Sequence, residues 1–256
     1  MRRPAVLATL AVAVAAVTAA APRRPDPTHH GEWVMIARGG DSIRAYVAYP
    51  ERKDRAPAVI VIHEIFGLTE WEPTVGDRFA QNGYVAIVPD LLSSKHGRSP
   101  ATPDSGRKLM AALEADRVTA DLDAVYAYVN GLPAVRKEQV ATIGFCWGGG
   151  QSFRYATNNP KLKAAIICYG PAPDSTALPR INAKLLGIYG ENDARINAVL
   201  PDVAARLSAL KKSFAYDIYP ETGHGFLKPG RKGADGPQPD RAWAKAFAFL
   251  KEAIGS

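Results

Sequence analysis

A mainly apolar run, residues 140–145, passes straight into Gly144-Phe145-Cys146-Trp147-Gly148, and this junction limits the folds open to the chain more than any other stretch. Glycines two residues before and two after a central side chain mark a sharp strand-to-helix turn that lifts that side chain clear of the sheet. A Cβ at either flank would collide with the adjoining strand or helix. Here the raised residue is a cysteine, in the place where serine more often stands.

The rest of the chain alternates in the same sense. Ala58-Val59-Ile60-Val61-Ile62, introduced by Pro57, is an uninterrupted apolar, mostly β-branched run of the kind found in a parallel strand covered on both faces. Residues 32–37 and 43–49 read as strands joined by the turn signal Gly39-Gly40-Asp41, and further strands are expected over 84–88, 163–169, 184–189 and 214–219. Helices are expected over 72–81, 106–130, 148–157, 197–211 and 239–253, with residues 91–104 an exposed loop and 228–239 a surface loop. Eight strands alternating with helices imply an α/β domain with a mostly parallel sheet flanked by helices. Ligands of such sheets collect at the carboxyl ends of the strands.

The 256 residues suffice for one large domain, and 47% hydrophobic with 22% charged residues is ordinary for a soluble protein. The first 21 stand apart. Met1-Arg2-Arg3-Pro4 is a basic start, residues 5–17 are apolar and uncharged, and Ala19-Ala20-Ala21 satisfies the small-residue cleavage rule. We read 1–21 as a signal peptide, 22–31 as a flexible mature N-terminus and 32–256 as the domain, with the product periplasmic or secreted. An uncleaved anchor is the alternative, although thirteen apolar residues fall short of the roughly 20 that a span needs. Cleavage removes two arginines and no acid, so the formal charge falls from +7 to +5. Basic and acidic residues are interleaved throughout, with no basic stripe carrying aromatics, which argues against nucleic acid. A monomer with no stable membrane span after cleavage is expected.

Chemistry-bearing residues gather at strand ends. Cysteine attacks as a thiolate, and its free pKa of about 8.5 calls for a base or a positive neighbour. His224, between Gly223 and Gly225 after the last strand, is the candidate base. Asp193, closing Tyr189-Gly190-Glu191-Asn192-Asp193, is the candidate carboxylate that orients it, with Glu191 as the local competitor. The order nucleophile, acid, histidine is that of α/β-hydrolases. Backbone amides of Trp147 and Ile65 are the candidate oxyanion donors. His63 reads as structural, and His29 and His30 lack a third ligand, so no metal is expected. The only other cysteine, Cys168, lies on the strand expected beside the elbow strand. A disulfide, a thiol redox module or a ligand-binding module is therefore the competing class, and a peptidase or thioesterase the competing enzyme.

Glu64-Ile65-Phe66-Gly67, Gly144-Phe145-Cys146-Trp147-Gly148-Gly149, Gly190-Glu191-Asn192-Asp193 and Gly223-His224-Gly225-Phe226 together resemble the dienelactone hydrolases, or carboxymethylenebutenolidases, over nearly all of 32–253. The resemblance implies a cofactor-free α/β-hydrolase that acts on a small ester or lactone through an acyl-cysteine. It also implies that Glu64 contacts the thiol and helps deprotonate it when substrate arrives. Family members acting on dienelactone hold its carboxylate with two arginines. This chain has Lys95 in the first region, with no arginine before Arg98, and Lys228 four residues past His224, leaving these two lysines as the candidate substrate-binding cations. Lysine attracts an anion as a point charge without the bidentate fork.

Overall fold

A computed structural model describes residues 28–256. The expected signal peptide and residues 22–27 lie outside the described residues. Eight strands form one sheet in the order β1-β2-β4-β3-β5-β6-β7-β8. They are β1 (His29–Arg38), β2 (Asp41–Pro50), β3 (Ala56–Ile62), β4 (Val85–Pro89), β5 (Val135–Phe145), β6 (Ala164–Cys168), β7 (Lys184–Asn192) and β8 (Phe214–Gly223). β1 and β2 enter antiparallel, and every pairing from β4 to β8 is parallel. This is the α/β-hydrolase arrangement.

Helices cover both faces, which is why β3, β4 and β6 are buried at every residue. The two-residue period of a strand divides β3 between the layers. Ala58, Ile60 and Ile62 join the core under α4 (Ala115–Gly131) and α5 (Trp147–Asn158), whereas Val59 and Val61 join the core under α1 (Trp71–Gln81) and α8 (Gln238–Ile254). Every strand end from β3 to β8 along the parallel part therefore points to one edge of the molecule.

Four expectations need correction. β1 begins at His29, so residues 29–31 are strand and not tail. Residues 91–104 are no plain exposed loop: Leu91, Leu92, Ser93 and Ser94 are buried, and Ser93–His96 form a short helix, α2. The cause is Asp90, whose carboxylate accepts from the amides of Leu92 and Ser99 and from the Ser99 hydroxyl. The helix expected over 106–130 is two, α3 (Pro103–Ala111) and α4, separated where Glu114 is extended. Gly106 of α3 lies directly against the backbone carbonyl of Phe66, so α3 is fixed to the loop after β3 while α4 packs on the sheet face. The helix expected over 197–211 likewise resolves into α6 (Ala194–Asn197) and α7 (Leu200–Ala209), and a 3₁₀ turn over Ser175–Arg180 leads into β7.

Candidate active site

At the end of β5 the backbone of Cys146 adopts φ 56° and ψ −115°, a conformation that non-glycine residues avoid at a cost of about 1–3 kcal/mol. The surrounding packing enforces it. A Cβ on Gly144 would overlap the carbonyl of Gly148, and one on Gly148 would overlap the carbonyls of Ile62 and His63. The Cys146 amide donates to the Cys168 carbonyl at 3.0 Å, tying the turn to β6. Its thiol is left at the head of α5, partly exposed.

Register brings the next two groups together. Asn192 of β7 pairs with Gly223 of β8, so the residues that follow, Asp193 and His224, leave the sheet side by side. His224 Nδ1 lies 2.5 Å from Asp193 Oδ2. Asp193 is buried, and Gly225 at φ 85° turns the chain sharply behind the imidazole. The competitor Glu191 is turned away, accepting from the Glu221 amide at 2.9 Å. The His224 pKa is raised from 6.5 to about 9, first by hydrogen bonding with the Cys146 thiol and then by Asp193, against the opposing effect of burial. Imidazole and carboxylate thus form a close pair at the sheet edge where the Cys146 elbow also ends.

Glu64 follows β3 and is buried. Its Oε2 accepts from Lys228 Nζ at 2.9 Å. His63 is structural, as expected. Its Nε2 accepts from the Leu91 amide at 3.2 Å, so the ring proton sits on Nδ1, which donates to the Glu64 carbonyl at 2.9 Å. Its ring also stacks 5.9 Å from that of Trp147. Neither the Trp147 amide, at the head of α5, nor the Ile65 amide donates a backbone hydrogen bond among the described residues.

Lys228, the partner of Glu64, also lines a groove of about 1380 Å³ whose lining includes neither Cys146 nor His224. Phe66, Trp71 and Trp33 supply its aromatic walls, and Arg44, Arg98, Arg107, Lys228 and Arg231 its charge. Lys228 therefore stands between this groove and Glu64, already paired with the latter. Lys95 does not: it is exposed at the end of α2 and lines no part of the groove. Helix α2 carries it outward, while the Ser99–Asp90 bonds fold Arg98 in. Arg107 and Arg231 stand within about 6 Å of the Phe66 ring, and Arg44 stacks on Trp33 at 3.3 Å. Sequence reading missed these arginines, since each sits in a stretch taken as loop, helix surface or strand with no motif around it.

Two further residues were missed. Glu72, on α1, is fully buried; its Oε2 accepts from the Thr69 amide and hydroxyl, and its Oε1 has no hydrogen-bond partner. Tyr169, just past β6 at φ 42°, is equally buried, and its hydroxyl too has no partner. Its ring meets that of His224 edge-on at 5.2 Å. Burial first, then the charges of Cys168, Glu64, Cys146 and Glu72, push its phenol well above the usual value. The positive φ at a bulky residue was the one local irregularity that could have marked it, and no sequence pattern encodes that.

Cys168 is fully buried, and burial pushes its thiol well above the ordinary range. Both cysteines are free. No group of three potential metal ligands occurs among the described residues.

Comparison with known proteins agrees with this geometry. The family model of the dienelactone hydrolases matches residues 43–254. The chain belongs to the dienelactone hydrolase family. A provisionally named carboxymethylenebutenolidase of Salmonella typhimurium is 32% identical over 244 residues, covering 89% of each chain. One of Saccharolobus solfataricus, named in the same way, is 30% identical over 247 residues, covering 83% of this chain and 95% of its own. Among solved structures, a provisionally named dienelactone hydrolase of Klebsiella pneumoniae superposes with a TM-score of 0.78 at 28% identity, covering 88% of this chain and all of its own. This member of the family is accordingly an enzyme, a hydrolase on the α/β-hydrolase fold.

Proposed function

We propose that this dienelactone hydrolase relative is an exported hydrolase of carboxylic esters or lactones that works through an acyl-cysteine. The observation that carries this reading is the His224–Asp193 pair, set by the β7–β8 register at the sheet edge where the strained elbow raises Cys146. Cys146 attacks the substrate carbonyl as a thiolate, its proton residing on His224. The amides of Trp147 and Ile65 hold the oxyanion. Collapse breaks the acyl C–O bond, and His224 gives its proton to the leaving oxygen. Neutral His224 then takes a proton from water, whose oxygen attacks the thioester, and Cys146 departs as thiolate while the carboxylate product leaves. Asp193 holds the imidazole with Nδ1–H toward itself and Nε2 toward the sulfur throughout.

Glu64 serves this chemistry when substrate displaces it from Lys228, by approaching the thiol and relaying its proton to His224. The groove's arginines favour an acyl or leaving group that carries negative charge. Residues 1–21 supply the export address. The test uses the mature chain with a p-nitrophenyl ester. A burst equal to one acyl group per enzyme is expected, and Cys146→Ala should lose turnover by roughly 10³-fold or more. A Cys146→Ala protein as fast as the parent would end the reading, and a protein confined to the cytoplasmic fraction would end the export claim.

A further inference from the structure

Buried polar atoms are nearly always satisfied, so an orphan beside an active site calls for an explanation. One of the few orphans here lies beside the Lys228–Glu64 ion pair, and a second belongs to a ring packed on His224. Glu72 Oε1 is buried without a hydrogen-bond partner, 3.9 Å from Lys228 Nζ. Tyr169 Oη is buried without one, in a residue whose ring meets His224 and which lies in the field of Glu64 and Cys146. Lys228 itself donates to Glu64 at 2.9 Å. Lys228 is mostly buried, flanked by Trp71 and Phe66 at 5.0 and 5.9 Å, and both carboxylates are almost fully so.

If Glu64 is to reach the thiol, it must leave Lys228. An ammonium stranded among aromatic rings would oppose that step strongly, because removing one member of a buried pair leaves the other uncompensated. We propose that Lys228 has two seats, Glu64 Oε2 and Glu72 Oε1, and that Glu72 is the positioning residue that frees Glu64 for Cys146. The two contacts differ by about 1 Å, a shift that the flexible four-carbon stem of lysine makes without moving its backbone. The ammonium keeps a carboxylate partner in both seats, so the charge of the cluster is unchanged by the exchange. Thr69 clamps the other oxygen of Glu72 through two bonds of 2.8 and 2.6 Å, so this carboxylate waits in place while Glu64 moves. Tyr169 supplies the complementary donor, its O–H open to a carboxylate that has swung toward the sulfur. Both orphans are thus the unfilled partners of the second arrangement.

This inference deepens the acyl-cysteine reading and rests on it. Glu72→Gln keeps the size and removes the charge, so Lys228 should stay on Glu64. Turnover should fall about tenfold, mainly in kcat, and alkylation of Cys146 by iodoacetamide should slow in parallel. In a Lys228→Met background the same substitution should have no further effect, whereas a purely structural Glu72 would lower activity equally in both backgrounds. A Glu72→Gln protein with kcat and alkylation rate within twofold of the parent overturns the proposal, as does an equal loss in both backgrounds. The unaltered protein gives an answer independent of any variant. In a crystal structure of its Cys146 acyl-enzyme, Lys228 should be hydrogen-bonded to Glu72, and Lys228 still bonded to Glu64 there would refute the two-seat arrangement. Loss of turnover in Cys146→Ala alongside a silent Glu72→Gln would sink this inference alone; turnover surviving in Cys146→Ala would sink the reading beneath it.

Discussion

His224 ties the chemistry of this molecule to its stability. Its folded pKa of about 9 lies above the ordinary 6.5, so folding favours the protonated ring. The sign follows directly. That stabilisation is complete below about pH 6.5, declines as pH rises, and is gone once pH passes about 9. Hydrogen bonding with Cys146 is the largest cause of the shift, so Cys146→Ala should lower the His224 pKa, as read by proton NMR, and flatten the fall in thermal midpoint between pH 6.5 and 9. An unchanged titration in the variant would mean that the sulfur and the ring do not interact. The strand-end placement of Cys146, His224 and Asp193 was legible from sequence, because each follows an apolar run and two carry flanking glycines. Glu72 and Tyr169 were not, because a buried acid on an amphipathic helix looks like a surface residue until its neighbours are known. The placement of Lys95 was not legible for a related reason: the direction of a short helix decides whether a lysine faces a groove or solvent.

At the scale of elements, the elbow depends on how closely α5 approaches β3. Gly148 leaves no room for a side chain between α5 and the carbonyls of Ile62 and His63. Gly148→Ala should therefore destabilise by about 3 kcal/mol, seen as a lower denaturation midpoint at unchanged slope. A variant as stable as the parent would show that the turn can open without loss. The central strands were readable as runs because helices cover both their faces, and α1, α5 and α8 fell within a residue or two of expectation. The breaks inside residues 106–130 and 197–211 were not readable. Apolar spacing continues across Ala112–Glu114, and the break comes where Glu114 turns extended, with Gly106 of α3 held against Phe66.

For the whole molecule, the groove is the feature that sequence reasoning underestimated. Arg44, Arg98, Arg107 and Arg231 come from four separate segments, and none of them forms an ion pair among the described residues. The fold alone brings together Arg44 of β2, Arg107 of α3 and the loop residues Arg98 and Arg231. Esters with a carboxylate on the acyl chain should therefore be preferred over neutral esters of equal length by about tenfold in kcat/KM. That preference should shrink as salt rises from 0.05 to about 0.5 M, since screening weakens charge attraction in an open groove. Equal kcat/KM for the two ester types at low salt would show that the arginines play no part in selection.

Of the two sulfurs, one sits at the mouth of the elbow and the other is sealed beneath it, with only its own residue's carbonyl touching the turn. The chain consequently carries a built-in tally of its own integrity. A thiol-specific label meets one address while the sheet is closed and two once it opens, so the number of labels on a molecule tells whether that molecule was intact when the reagent arrived.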